Sequence, residues 1–477
     1  MEKKNIFLNI SPLDHRYYLA NRELFDKLAL YLSEESTIKY CVKTEIALLS
    51  CLVMEMDNIK NKSELLRNIE YISKKITPEE VYIEEQKTQH NIRALVNVIK
   101  RKVPQEISHL VHLGATSVDI LDTSFALRIR DSVRKVILPL IITLENNLIE
   151  LSIKEANTPQ VGRTHGQHAV PITFGFAMAE YVSRLGKSIM RIEEKSTNLR
   201  GKLSGAVGAY NATSIIVKDP EQLEKSFLSR LGLKASEHST QLVEAEYLIG
   251  LLLEINLAFG IIANIADDFR NLQRSEIREI TEMFTSAQVG SSTMPQKRNP
   301  WNSEHVKSLW KAYSPRVITF FMDQISEHQR DLTNSASLRF ITEYLTGFSA
   351  AADRMNKVVA SLKVHEEKMK ANISGTGGLI LAEAVYILIS LAGEKEGHEI
   401  VRKLTLKAEK YKKPLIDILK EEKEIWEKIK TQLKQNINKE IEELFSKPEM
   451  YSGIASEKSV KLGNKYRKIM SDISDKL

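Results

Sequence analysis

The segment Gly290-Ser-Ser-Thr-Met-Pro-Gln-Lys-Arg-Asn-Pro300 gathers hydroxyls, two cations and two amides between a glycine and a closing proline. Pro295 and Pro300 keep it out of a helix, and its glycine–serine start reads as a loop. Lys297 and Asn299 can hold a carboxylate, and a hydroxyl beside a cation (Ser291 or Ser292) loses its proton more readily than in water. Upstream, Gly162-Arg-Thr-His-Gly-Gln-His168 places His165 among small residues, where an imidazole can titrate near neutrality and act as general acid or base. His165 and His168 have an i, i+3 spacing that zinc could use. No HExxH occurs, neither cysteine is nearby, and a third ligand would have to come from elsewhere, so no metal is expected.

Two further segments have anion chemistry. Thr116-Ser-Val-Asp119 reads as a helix N-cap, whose backbone N–H groups would face an anion. Arg330, Ser335 and Arg339 put two guanidinium forks and a hydroxyl within ten residues, which suits a phosphate. On one regular helix Arg330 and Arg339 would point about 180° apart. A bend around Leu332 to Ser335 and a helix start near Ser335 are therefore expected. Each segment also has a plainer reading, as a surface loop, a simple cap or an ion-pair helix; the chemical reading rests on their company. Ser374-Gly-Thr-Gly-Gly378 lacks the third glycine and preceding strand of a dinucleotide fold and reads as a turn.

The elements that position these groups are helical. The chain has 477 residues, 43% hydrophobic, with only 20 Gly and 12 Pro to interrupt it. That length supports about three domains of ordinary size, or two plus a long bundle. Collagen-like, disordered and disulfide-scaffold classes are excluded by this composition. Proline is absent from 221 to 294 and from 316 to 413, which permits very long helices. Leu248, Leu252, Ile255, Phe259, Ile262, Ala266 and Phe269 form the 4-3-4-3 seam of a bundle helix. Leu251, Leu253, Leu257 and Ile261 extend its apolar surface nearly all round, the pattern of a helix central to a large bundle or oligomer. Glu254, Asn256 and Asn264 on that stretch argue against a lipid-facing span. The expected fold is all-α, in three helical regions: 1–114, a long central bundle 115–363, and 364–477.

Net charge is +6, with acids and bases mixed as in Lys420-Glu421-Glu422-Lys423-Glu424, so the surplus is a weak signal for nucleic acid and fits a pocket for a small anion at least as well. Cys41 and Cys51 alone cannot staple a chain of this size, which fits a reducing cytoplasm. The start has no sustained apolar run, so no signal peptide is read.

Together the three segments at 116–119, 162–165 and 290–300 resemble, in order and spacing, the active-site segments of the fumarase/aspartase superfamily, and the resemblance spans nearly the whole chain. Within it, the residues look most like the adenylosuccinate lyase family. Ser11-Pro-Leu-Asp-His-Arg-Tyr17 is similar to that family's nucleotide-holding Arg-Tyr pair, here Arg16 and Tyr17. Thr88-Gln-His-Asn91 resembles its histidine segment, giving Gln89, His90 and Asn91, although the usual aspartate is replaced by Asn91. Ser239-Thr-Gln241 resembles its substrate-binding glutamine segment without the charged residues that usually follow.

The resemblance implies elimination of fumarate from a succinyl-amine, with Ser291 as base and His165 as acid. Thr116, Ser117, Thr164, Gln241, Ser292, Lys297, Arg298, Asn299 and His305 are then substrate contacts, and Arg330, Ser335 and Arg339 a phosphate clamp. It also implies a cytoplasmic homotetramer with shared sites and no cofactor, nucleic acid or membrane partner. Argininosuccinate lyase and 3-carboxymuconate cycloisomerase share the fold, and Met-Pro-Gln-Lys alone is closer to the former; neither substrate carries a phosphate. An inactive structural homologue is the alternative of another class.

Overall fold

The computed structural model of the chain describes residues 5–283, 293–294, 296–331 and 333–477. Helix α1 (Glu34–Glu55) starts at Ser33, whose hydroxyl accepts from the Ser36 N–H. Helix α2 (Ser117–Ser132) passes through a wider π turn at Val133–Ile137 into α3 (Leu138–Lys154). Pro139 explains the widening, because it has no N–H to donate and its ring crowds the carbonyl four residues back. An antiparallel hairpin follows, β1 (Pro159–Thr164) with β2 (Gln167–Thr173), and then α4 (Phe174–Thr197), capped by Thr173. The all-α expectation holds, with this hairpin as an addition that the sequence pattern did not announce. Two short pairings accompany it: β3 (Arg200–Gly201) parallel to β4 (Lys234–Ala235), and β5 (Ile280–Thr281) antiparallel to β6 (Lys363–Val364).

Helix α5 (Glu246–Leu272) is the apolar helix read from the sequence. With α3, α4, α6 (Trp301–Tyr313) and α7 (Ile341–Ala360) it closes a ring in which each helix packs on the next. Gly175 allows α4 to leave the hairpin against the end of α3, since a Cβ there would lie 2.3 Å from the Ser152 carbonyl oxygen. The seam residues Leu252, Ile255, Phe259, Ile262, Ala266 and Phe269 are buried, whereas Leu253 and Leu257 stay 37% and 56% exposed. An apolar edge of the bundle helix is thus open on the single chain. By length and composition, α5 and the continuous helix Ser117–Lys154 could cross a membrane. The polar groups of α5 are matched inside the bundle, however. Glu254 accepts from Ser188 and pairs with Arg191, Asn256 accepts from Tyr344, and Asn264 accepts from Arg184.

Among the described residues the interior forms two apolar clusters. The larger contains the bundle and the N-terminal helices, and the smaller is built from Ile373 to Leu444 with Val161 of β1. Helix α8 (Glu366–Ser374) lies against β1. The last helix, α9 (Ala455–Ser474), returns to pack on α3 and α4, and its Tyr466, Met470 and Ile473 belong to the larger cluster.

Candidate active site

At the N-terminal end of α5, three loops converge on Asp119. This residue is fully buried on the first turn of α2; its Oδ2 accepts from the Thr116 N–H at 2.8 Å, and its Oδ1 from the N–H groups of Ser204 (3.2 Å) and Gly205 (3.3 Å). Lys202, also fully buried, pairs with the same oxygen and donates to the Gly205 carbonyl. The Ser204 hydroxyl meets that of Ser239 at 2.7 Å, which brings in the segment ending at Gln241. The cap expected at Thr116 and Ser117 is therefore present, with both residues half-buried.

Next to this node, Arg330 Nη1 donates to Gln241 Oε1 at 3.3 Å, and Arg330 and Ser335 line one cavity with Asp122, Leu242, Leu248 and Leu252. Residues around 333–336 form turns, a 3₁₀ turn begins at Ser337, and α7 follows at Ile341, so the bend lies where expected and the helix starts slightly later. Asp331 shapes the bend by accepting from the N–H groups of Glu327 and Thr333. Leu332 lies outside the described residues. Arg339 is exposed on the 3₁₀ turn and is not part of the cavity wall. Burial pushes the Asp122 carboxyl up to about 6, against the N–H of Val243 and the charges of Lys202 and Arg330.

At the opposite end of α5 sits the turn of the hairpin. His165 and Gly166 have φ of 53° and 73°, the mirror-image turn that suits a two-residue hairpin. A left-handed non-glycine residue costs about 1–2 kcal/mol, so the histidine holds a mildly strained, exposed post at the tip. Thr164 and His168 are exposed beside it. Burial and the Arg163 charge lower the His168 pKa, with Glu279 acting the other way.

Lys297, Arg298 and Asn299 line a wide cleft in which Arg270, Arg274, Arg278, Lys363 and Lys368 outnumber Glu276, Glu304, Glu366 and Glu367, a balance that favours an anion. His365 meets the Thr281 hydroxyl at 2.7 Å, and burial followed by Lys363 lowers its pKa. Ser291 and Ser292 lie outside the described residues. A third group joins nearby: Tyr17 Oη contacts His305 Nε2 at 3.0 Å with the rings stacked, and burial, then the charges of Arg354 and Arg16, lowers the His305 pKa.

Gln89, His90 and Asn91 are exposed at a helix junction in the N-terminal region, where His90 Nδ1 caps the following helix by accepting from the Arg93 N–H. Their recorded bonds are local. Among the described residues, no group of three or more His, Cys, Asp or Glu could hold a metal ion. Sequence reasoning missed Lys202, Asp122, Glu279 and His365. A signal existed for Asp122: with Asp119 it makes an i, i+3 pair of acids on a helix whose neighbours Val118 and Ile120 are apolar.

This helical bundle has the all-α, fumarase-like fold of the lyase family. Its fold matches that of a fumarate lyase from Mesorhizobium sp. BNC1, with a TM-score of 0.78, 23% identity, and 92% of this chain and 97% of that one covered. The 3-carboxy-cis,cis-muconate lactonizing enzyme from Pseudomonas putida also matches, with a TM-score of 0.78 at 22% identity over 96% and 99%. The profile of the lyase family covers residues 31–311, and that of the adenylosuccinate lyase C-terminal region covers 326–440. The adenylosuccinate lyase of Pyrococcus horikoshii is 34% identical over 94% of this chain and 96% of its own, and that of Archaeoglobus fulgidus 33% identical over 94% and 97%. The chain belongs to the adenylosuccinate lyase family.

Proposed function

We propose that the protein eliminates fumarate from adenylosuccinate, leaving AMP, and performs the matching step on succinyl-aminoimidazole carboxamide ribotide in purine nucleotide synthesis. The observation that carries this reading is the Arg330–Gln241 contact at a cavity also lined by Ser335. It joins a phosphate-seeking cation to the glutamine segment, which neither argininosuccinate nor carboxymuconate would require.

In this reading Ser291 takes the Cβ proton, and the resulting negative charge spreads into the adjacent carboxylate. Lys297, Asn299 and the Ser117 N–H at the start of α2 stabilise that charge. His165 then protonates the leaving nitrogen as the C–N bond breaks, with general acid–base catalysis contributing about 10²–10⁴-fold. Arg16, Tyr17 and His305 hold the nucleotide with Arg330, Ser335 and Arg339, and no cofactor or metal takes part. We place the enzyme in the cytoplasm, without nucleic acid or membrane as partner.

We further propose a homotetramer with shared active sites. Leu248 borders the Arg330 cavity and Arg270 borders the Lys297 cleft, and these residues are 22 positions apart on α5. At 1.5 Å per residue that is about 33 Å, longer than one nucleotide with its succinyl arm. Segments of one chain cannot all reach a single substrate, so neighbouring chains must complete each site. The open apolar edge at Leu253 and Leu257 supports the same reading.

The test is ultraviolet detection of fumarate release with adenylosuccinate, argininosuccinate and carboxymuconate offered side by side; release from adenylosuccinate alone is expected. Release from either of the others at comparable kcat/KM would overturn the substrate assignment. Ser291→Ala and His165→Ala should each abolish most turnover, and mixing the two variants should restore part of it.

A further inference from the structure

The hairpin that ends in His165 is anchored from inside the protein. Between Val161 and Arg163 the strand register shifts, and Gly162 sits at the shift because a Cβ there would meet the Val170 carbonyl oxygen at 2.6 Å. The irregularity turns Arg163 inward, where its side chain is 18% exposed. Its guanidinium grips Glu279 as a fork: Nη2 donates to Oε1 at 2.6 Å and Nη1 to Oε2 at 3.2 Å.

Glu279 is fully buried, and every acceptor position of its carboxylate is used. Asn372 Nδ2 donates to Oε1 at 2.9 Å, and Gln160 Nε2, from the same hairpin, donates to Oε2 at 2.8 Å. The backbone of Glu279 is fixed as well: its N–H donates to the Leu272 carbonyl at the end of α5, and its carbonyl accepts from the His365 N–H. A bundle helix, α8 and the hairpin therefore meet at one carboxylate. Arg163 pairs across the hairpin with His168, and the next pair outward, Thr164 with Gln167, closes directly on His165.

We propose that Glu279 is a positioning residue for His165: through Arg163 it sets the tilt of the hairpin tip, and with it the reach of the imidazole to the leaving nitrogen. The inference rests on His165 being the acid, as proposed above. A carboxylate that accepts four hydrogen bonds while fully buried is a stiff pivot, and the strained tip lies two residues beyond Arg163.

The experiment uses full-length Glu279→Gln, which places an amide N–H against the Arg163 fork, together with Arg163→Met and Glu279→Asp, each compared with wild type at equal oligomeric state. Glu279→Gln and Arg163→Met should lower kcat by about 10²-fold, the cost of a 1 Å misplacement. KM should stay within about a factor of three, because the ground-state contacts lie elsewhere. Glu279→Asp, which keeps the charge, should recover part of the rate.

Complementation gives a second readout. Glu279→Gln mixed with Ser291→Ala should regain activity, whereas mixing it with His165→Ala should not, because both lesions disable the same chain's acid. Rescue by His165→Ala instead would overturn the proposal. So would a loss of kcat that merely follows the loss of folded protein, with no recovery in Glu279→Asp. Wild type that releases no fumarate would instead sink the functional reading, an outcome separate from any behaviour of the variants.

Discussion

Replacing Lys202 by Met tests the node beneath the Thr116 cap. Lys202 and Asp119 are both wholly excluded from solvent, so the substitution leaves a buried carboxylate without its counter-ion. Breaking such a pair from one side costs about 3–5 kcal/mol. Three backbone N–H groups, from Thr116, Ser204 and Gly205, still face the carboxylate, which places Lys202→Met near the lower bound of about 3 kcal/mol. Asp119→Asn leaves the ammonium with the Gly205 carbonyl as its recorded acceptor and belongs near the upper bound of about 5 kcal/mol. The double variant carries no buried charge and should cost no more than the worse single, giving a coupling of at least about 3 kcal/mol. Urea unfolding followed by circular dichroism, at one fixed protein concentration, reads these differences from the midpoints at a common slope. KM should rise in both singles, because the same carboxylate holds the Thr116 and Ser204 loops. Additive losses, with a coupling below about 0.5 kcal/mol, would mean that the pair is not the node described here.

Three further outcomes are expected. Gly175→Ala should prevent stable folding, since its Cβ would fall 2.3 Å from the Ser152 carbonyl oxygen, while Gly166→Ala, with nothing within 4 Å, should cost only the roughly 1–2 kcal/mol of its positive φ; thermal melts of both compare the two. Glu145 is fully buried, no partner for either carboxylate oxygen is found among the described residues, and burial holds its pKa well above the ordinary 4.5. The folded state therefore keeps a proton that the unfolded chain loses. Its stability contribution is complete below 4.5 and declines by about 1.4 kcal/mol per pH unit until the folded pKa is passed. Glu145→Gln should flatten that decline, and equal pH slopes in the two proteins would contradict it. Arg330→Leu should weaken AMP binding by about 1.5–3 kcal/mol and adenosine binding much less, as read by calorimetry. Equal losses for the two ligands would make Arg330 a structural residue.

Much was legible in the residues alone. The proline gaps and the 4-3-4-3 seam from Leu248 to Phe269 determined α5, because a helix needs only local spacing to declare its buried face. Thr116 announced the start of α2 for the same local reason. The bend before α7 followed from the angle that a regular helix would force between Arg330 and Arg339. The β1–β2 hairpin escaped notice because its register depends on a glycine shift and on pairing between strands, and Val161 finds its cover in a region more than 200 residues away. His305 looked weak in sequence and acquired meaning only beside Tyr17, 288 positions earlier. Lys202 and Glu279 were ordinary charges in the chain; burial made them costly, and their partners lie 83 and 116 positions away. The sequence by itself determined which groups could do chemistry and which helices would carry them. Only the tertiary structure decided that these groups fall at opposite ends of α5, since the length of a helix separates whatever its two ends hold.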